Sequence, residues 1–246
     1  MMKRARRRGA QLTLDEARRP TGRGGWRPNA GRKATGKRVG PRHRPRPELS
    51  RHHPVHVVLK AVPEVGRLRR AKAYRAIRAA LARALARGDF RVIHVSVQHN
   101  HIHLIVEADD RAALTRGIQG LSIAAAKRLN AELGRARGRV FLHRYHSTIL
   151  TAPRQVRHCL AYVLNNWRRH RQDRGVASSV DRFSSGVSFD GWKETGGIDF
   201  LKALPVDYEP LPVSRPQTWL LSVGWRRHGL ISVREVPGER ARRLVA

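Results

Sequence analysis

From residue 54 the chain sets apolar against polar positions with a period that switches between two and about 3.6 residues. Val55, Val57 and Leu59 alternate with His56, Val58 and Lys60, which predicts a strand. Between Arg67 and Arg87, Tyr74, Ile77, Leu81 and Leu85 recur at helical spacing with arginines on the other faces. Gly88-Asp89 supplies the stop. Phe90 to Val97 reads as a second strand, Gln98-His99-Asn100 as a polar turn, and His101 to Glu107 as a third strand. Asp109-Asp110 offers an N-cap to a helix whose apolar stripe is Leu114, Ile118, Leu121, Ala125, Leu129 and Leu133, ending at Gly134. Val140 to Leu150 reads as a fourth strand. Pro153 opens a last helix, residues 153–171, with Val156, Leu160, Val163 and Trp167 along one face.

The order β-α-β-β-α-β-α predicts an α+β protein. Its first six elements make a ferredoxin-like βαββαβ unit, an antiparallel sheet with two helices on one face. The seventh element, an additional C-terminal helix, must dock elsewhere. Outside this unit the texture changes. Residues 1–50 are rich in Arg, Gly and Pro without apolar periodicity, and read as a basic disordered arm. Within the arm, Asn29-Ala30-Gly31-Arg32-Lys33 and Arg44-Pro45-Arg46-Pro47 are short basic clusters of the kind that enter a minor groove, or that simply add phosphate contacts. Residues 173–246 are irregular, with isolated Trp192, Trp219 and Trp225 and one compact apolar run, Trp219-Leu220-Leu221-Ser222-Val223. They read as an accessory C-terminal extension, either a small module or a wrapping tail. The expected organisation is therefore 1–50, 51–172 and 173–246.

Charge narrows the choice of partner. The formal charge is +33, and it is unevenly spread: 16 Lys/Arg against 3 Asp/Glu in residues 1–50, 24 against 6 in 51–172, and 11 against 9 in 173–246. Such a field captures polyanions, and nucleic acid is the expected partner. An anionic membrane surface competes poorly, because the basic helices lack the Trp/Phe/Leu face of interfacial helices. No apolar run suits a spanning helix, and the start of the chain has no secretory pattern, so no membrane association is expected. Cys159 is the single cysteine, which excludes an intrachain disulfide and a cysteine-based zinc site and suits a reducing cytoplasm.

Candidate chemistry lies on two elements. Alternation along the third strand puts His101, His103, Ile105 and Glu107 on one face and Ile102, Leu104 and Val106 on the other. If the apolar set faces the helices, two imidazoles stand side by side on the opposite face, placed either to grip one divalent cation or to sit half-exposed without one. On the last helix Tyr162 and Asn166 are four apart and share a face, with Asn165 as an alternative amide. Arg168, Arg169 and Arg171 follow at the helix end, where phosphates would be met. Tyr145, in Arg144-Tyr145-His146, rivals Tyr162 as a reactive phenol, whereas Tyr74 belongs to an apolar stripe. The cluster His52-His53-Pro54-Val55-His56 has no matching carboxylate or cysteine and reads as structural or phosphate-facing. Residues 51–172 hold only Glu64, Asp89, Glu107, Asp109, Asp110 and Glu132 as carboxylates, several at caps or turns, which argues against a carboxylate-triad nuclease.

The strand His99-Asn100-His101-Ile102-His103-Leu104-Ile105-Val106-Glu107, followed about sixty residues later by Tyr162-Val163-Leu164-Asn165-Asn166, resembles the HUH single-tyrosine transposases, most closely the branch of REP-associated tyrosine transposases. The resemblance spans roughly residues 54–171. It implies a metal-dependent endonuclease and strand transferase that cleaves and rejoins single-stranded, hairpin-bearing DNA. His101, His103 and Asn166 would hold Mg²⁺ or Mn²⁺, and Tyr162 would be the nucleophile, leaving a 5′-phosphotyrosine and a free 3′-hydroxyl. Arg144, Arg168 and Arg169, with Arg32 and Lys33 of the arm, are the expected DNA contacts. The resemblance also implies a monomer or homodimer in a bacterial cytoplasm, associated with the nucleoid. A basic binder without catalysis, and a domesticated nuclease that processes genomic repeats without itself moving, are the alternatives.

Overall fold

The computed structural model describes residues 47–142, 144–174, 180–194, 204 and 206–238. The arm clusters containing Arg32, Lys33 and Arg44 lie outside the described residues. Four strands, β1 (Val55–Lys60), β2 (Phe90–Val97), β3 (His101–Ala108) and β4 (His146–Ile149), form an antiparallel sheet in the order β2-β3-β1-β4. Two helices, α1 (Ala71–Ala84) and α2 (Arg111–Glu132), cross between strands, and α3 (Pro153–Arg169) follows β4. This is the ferredoxin-like arrangement with one helix added. No helix among the described residues is long and apolar enough to cross a membrane.

The strand pattern splits the protein into two cores. Val55, Val57 and Leu59 of β1 and Ile102, Leu104 and Val106 of β3 pack with Ile77 and Leu81 of α1 and with Leu114, Ile118 and Leu129 of α2. The other face carries Ile93 and Ile105, which join Val156, Leu160, Val163 and Leu164 of α3. Ile93 and Ile105, which alternation turns away from α1 and α2, therefore meet α3, not water. The Asp110 carboxylate accepts from Ala113 N at 2.6 Å and caps α2. Gly134 takes a left-handed φ of 66° just after that helix, which a side-chain-bearing residue adopts only with strain. Gly117 has a different reason: a Cβ there would lie 2.2 Å from the Phe90 ring, where α2 presses on β2.

Two expected elements are shorter than the sequence suggests. Helix α1 starts at Ala71, because the buried Leu68 N–H donates to His99 O in the turn before β3. The fourth strand is interrupted. Val58 pairs with His146 and Ala61 with Phe141, so three steps along β1 face five on the returning chain, and a two-residue bulge breaks the ladder.

The C-terminal extension wraps the unit and completes its second core. Val97 N donates to Phe183 O, and Ser185 Oγ accepts from Val95 N, so residues 183–185 cover the open edge of β2. Arg69 grips the buried Asp181 with two hydrogen bonds of 2.8 Å. Glu107, wholly buried on β3, accepts from the backbone N–H groups of Gln217 and Thr218. Trp192, Leu221, Trp225, Ile231 and Val233 then pack with the apolar stripe of α3. That packing seats the helix on the sheet.

Candidate active site

Register decides which side chains meet under α3. His56 lies opposite Ile105, Val58 opposite His103 and Lys60 opposite His101, so His56 shares a face with both strand histidines. Across β1 the same face continues with His146 and Thr148 of β4. Helix α3 closes over it. Nε2 of His101 is 2.9 Å from Nε2 of His103, and Nδ2 of Asn166 is 3.0 Å from the same His103 nitrogen. The Tyr162 ring stands edge-on to His103 and to His56, with centroids 5.2 and 6.0 Å away. Tyr162 and His56 also line an open cleft of about 1290 Å³, together with Thr148, Arg169 and residues 235–238 of the extension.

The outer nitrogens of the two strand histidines are engaged as well. His101 Nδ1 is 2.8 Å from the Asn100 carbonyl oxygen, an acceptor, so the ring's proton sits on Nδ1 and Nε2 is bare. The Asn166 amide lies 3.0 Å from the same His103 Nε2 that faces His101. The Nε2 atoms of both imidazoles thus face one point. The electrostatics keep the rings neutral. Burial, with His146 nearby, lowers His56 to about 4. Burial, followed by His170 and Lys60, lowers His101 to about 4. Burial, with His101, His56 and His170 around it, lowers His103 to about 2.

These residues fit a divalent ion. The neutral imidazole is the ligand form of histidine. Adjacent donors on an octahedral ion with bonds of about 2.1 Å are roughly 3.0 Å apart, close to the 2.9 Å between the Nε2 atoms of His101 and His103. The Asn166 amide oxygen is buried without a hydrogen-bond partner, and a half-turn of the amide would exchange it with the nitrogen that faces His103. Among the described residues no group of three or more His, Cys, Asp or Glu is placed to hold an ion.

The other expected site residues separate clearly. Asn165 turns away and donates to Ser232 O at 2.9 Å, leaving Asn166 as the amide that faces the histidines. Tyr145 packs against the core under α1 and α2, on the far side of the sheet. Arg168 is directed inward, bonded to Val233 O and paired with Asp173 at 2.9 Å, which corrects its expected role as a phosphate contact. Arg169 is exposed, with its guanidinium 6.0 Å from the Tyr162 ring centroid. Arg144 is exposed beside the bulge before β4, and Arg32 and Lys33 fall outside the described residues. His56, read from the sequence as structural or phosphate-facing, contacts His103 at 3.1 Å. The signal was available: His56 alternates against the apolar face of β1, and a ferredoxin-like strand order puts β1 beside β3.

The family model described as "Transposase IS200 like" matches residues 50–166, and over those residues the chain is similar to that transposase family. The chain is also similar in structure to a REP-associated tyrosine transposase solved with a REP hairpin bound. The TM-score is 0.43, with 14% identity over 52% of this chain and 74% of that one. No curated protein matches the chain.

Proposed function

We propose that the protein cleaves and rejoins single-stranded, hairpin-bearing DNA, using Tyr162 as nucleophile with Mg²⁺ or Mn²⁺ held by His101, His103 and Asn166. The observation that carries this reading is the convergence of two imidazole nitrogens and a buried amide beneath a tyrosine that lines an open cleft. When bound, the ion supplies Lewis-acid polarisation of a nonbridging oxygen on the scissile phosphate.

The chain's own residues do the rest. A phenol is a weak nucleophile at neutral pH, so its proton must be drawn off as it attacks. Arg169, exposed with its guanidinium 6.0 Å from the Tyr162 ring centroid, would meet the DNA phosphate there. Tyr162 Oη attacks phosphorus, the bond to the 3′-oxygen breaks, and that oxygen takes up a proton to leave as a hydroxyl. The 5′-phosphotyrosine conserves the energy of the broken diester. Attack by the same or another 3′-hydroxyl then reverses the step and rejoins or transfers the strand. Tyr162 and His103 meet within one chain, which supports attack in cis.

The test is a covalent adduct. Full-length protein incubated with end-labelled hairpin DNA and Mn²⁺ is expected to give a band that survives denaturing electrophoresis, vanishes with chelator, and is absent from Tyr162→Phe but present in Tyr145→Phe. An adduct that persists in Tyr162→Phe refutes the assignment. Tight, salt-dependent binding with no adduct under any metal condition would favour a noncatalytic binder, which the charge alone also suits.

A further inference from the structure

We infer that His56 is a positioning residue that fixes the tautomer of His103, with Asn100 doing the same more weakly for His101. This rests on the metal site proposed above and names the residues that prepare it. A neutral imidazole has two nitrogens and one proton, so a nitrogen that donates outward leaves the other bare. On the inner side of His103, the Asn166 amide lies 3.0 Å from Nε2. A ligating Nε2 needs the His103 proton on Nδ1, which lies 3.1 Å from His56 Nε2. His56 must accept there and carry its own proton on Nδ1. The same logic runs through His101, whose Nδ1 donates to Asn100 at 2.8 Å.

The fold holds this arrangement from both sides. The β1–β3 register places His56 diagonally across from His103 on one sheet face, and the two rings stack with centroids 5.2 Å apart and planes 22° from parallel. The stack restrains rotation of the His103 ring, and the hydrogen bond restrains its proton. Without His56, the Nε2–H tautomer of His103 becomes accessible, and a proton would then occupy the point that the two Nε2 atoms face. Outer partners of this kind typically contribute about 10–100-fold to metal affinity. Asn100 is exposed, so water can replace its carbonyl, and its removal should matter less.

Two readouts on the full chain test this. Long-range ¹H–¹⁵N spectra of the metal-free protein report which His103 nitrogen carries the proton, and electron paramagnetic resonance of free Mn²⁺ reports affinity. Wild type is expected to show the Nδ1–H tautomer. His56→Leu should lose that uniform state and bind Mn²⁺ about 10–100-fold more weakly. His56→Gln should restore both, because its amide oxygen reaches the same place as an acceptor. A wild-type His103 protonated on Nε2, or a His56→Leu protein that binds Mn²⁺ as tightly as wild type, overturns the inference. A wild-type protein that binds no Mn²⁺, yet has the Nδ1–H tautomer and loses it in His56→Leu, would sink the metal reading and leave the positioning role standing.

Discussion

Glu107→Ala should loosen the extension from the sheet and weaken the whole protein by about 3–5 kcal/mol, the usual cost of removing one partner of a buried ion pair. The Glu107 carboxylate is fully buried and receives Thr218 N at 2.8 Å, Gln217 N at 3.0 and 3.1 Å, and Arg91 Nε at 3.2 Å. Its loss strands two backbone donors and takes the nearest carboxylate from a guanidinium that is only 13% exposed and keeps Gly88 O and the more distant Asp109. Each orphaned neutral donor alone costs about 1–3 kcal/mol, but these losses overlap with the ion pair and water will enter part of the gap, so they do not simply add. Against a typical total stability of about 5–15 kcal/mol, the effect is large. It also reaches the site, since Leu220 and Leu221 lie two and three residues after Thr218 and pack in the core that seats α3. Urea unfolding followed by circular dichroism measures the change. Arg91→Ala in the same background should recover part of it, because no charge is then left unpaired. A loss below about 1 kcal/mol in Glu107→Ala would refute the view that this carboxylate clamps the extension.

Three further outcomes are expected. Asn166→Ala should abolish Mn²⁺ binding and adduct formation while Asn165→Ala keeps metal affinity; calorimetric titration of both separates the amides, and equal losses would contradict the geometry. In metal-free protein, stability should be full above about pH 6.5 and fall as the pH drops toward 4, because the unfolded chain takes up protons that buried His56 and His101 refuse. For a shift from 6.5 to about 4, His56 contributes at most about 3 kcal/mol. Thermal melts between pH 4 and 7.5 check the sign, and greater stability at pH 5 than at pH 7 would contradict it. Gly117→Ala should destabilise by roughly 1–3 kcal/mol through overpacking against Phe90, whereas Gly120→Ala, which meets open space, should be neutral or stabilising.

The pattern along the chain was enough to reveal the ferredoxin-like order of elements, the face of β3 that carries His101 and His103, and the shared face of Tyr162 and Asn166. Each depends on local rules: a strand alternates every residue, and a helix returns to one face every three or four. Strand pairing and long-range packing decided the rest, because they join residues whose sequence separation carries no signal. The β1–β3 register brought His56 to His103 across 47 positions, and Asn165 was removed from the choice of amides by Ser232, 67 positions away. The docking of residues 183–233 turned an apparently irregular tail into the second half of the core under α3, and it drew Arg168 inward to Val233 and Asp173. Sequence by itself determined which side chains are able to do the chemistry. Tertiary structure decided which of them face one another, since only the folded sheet and its wrapping extension set the distances on which coordination and proton placement depend.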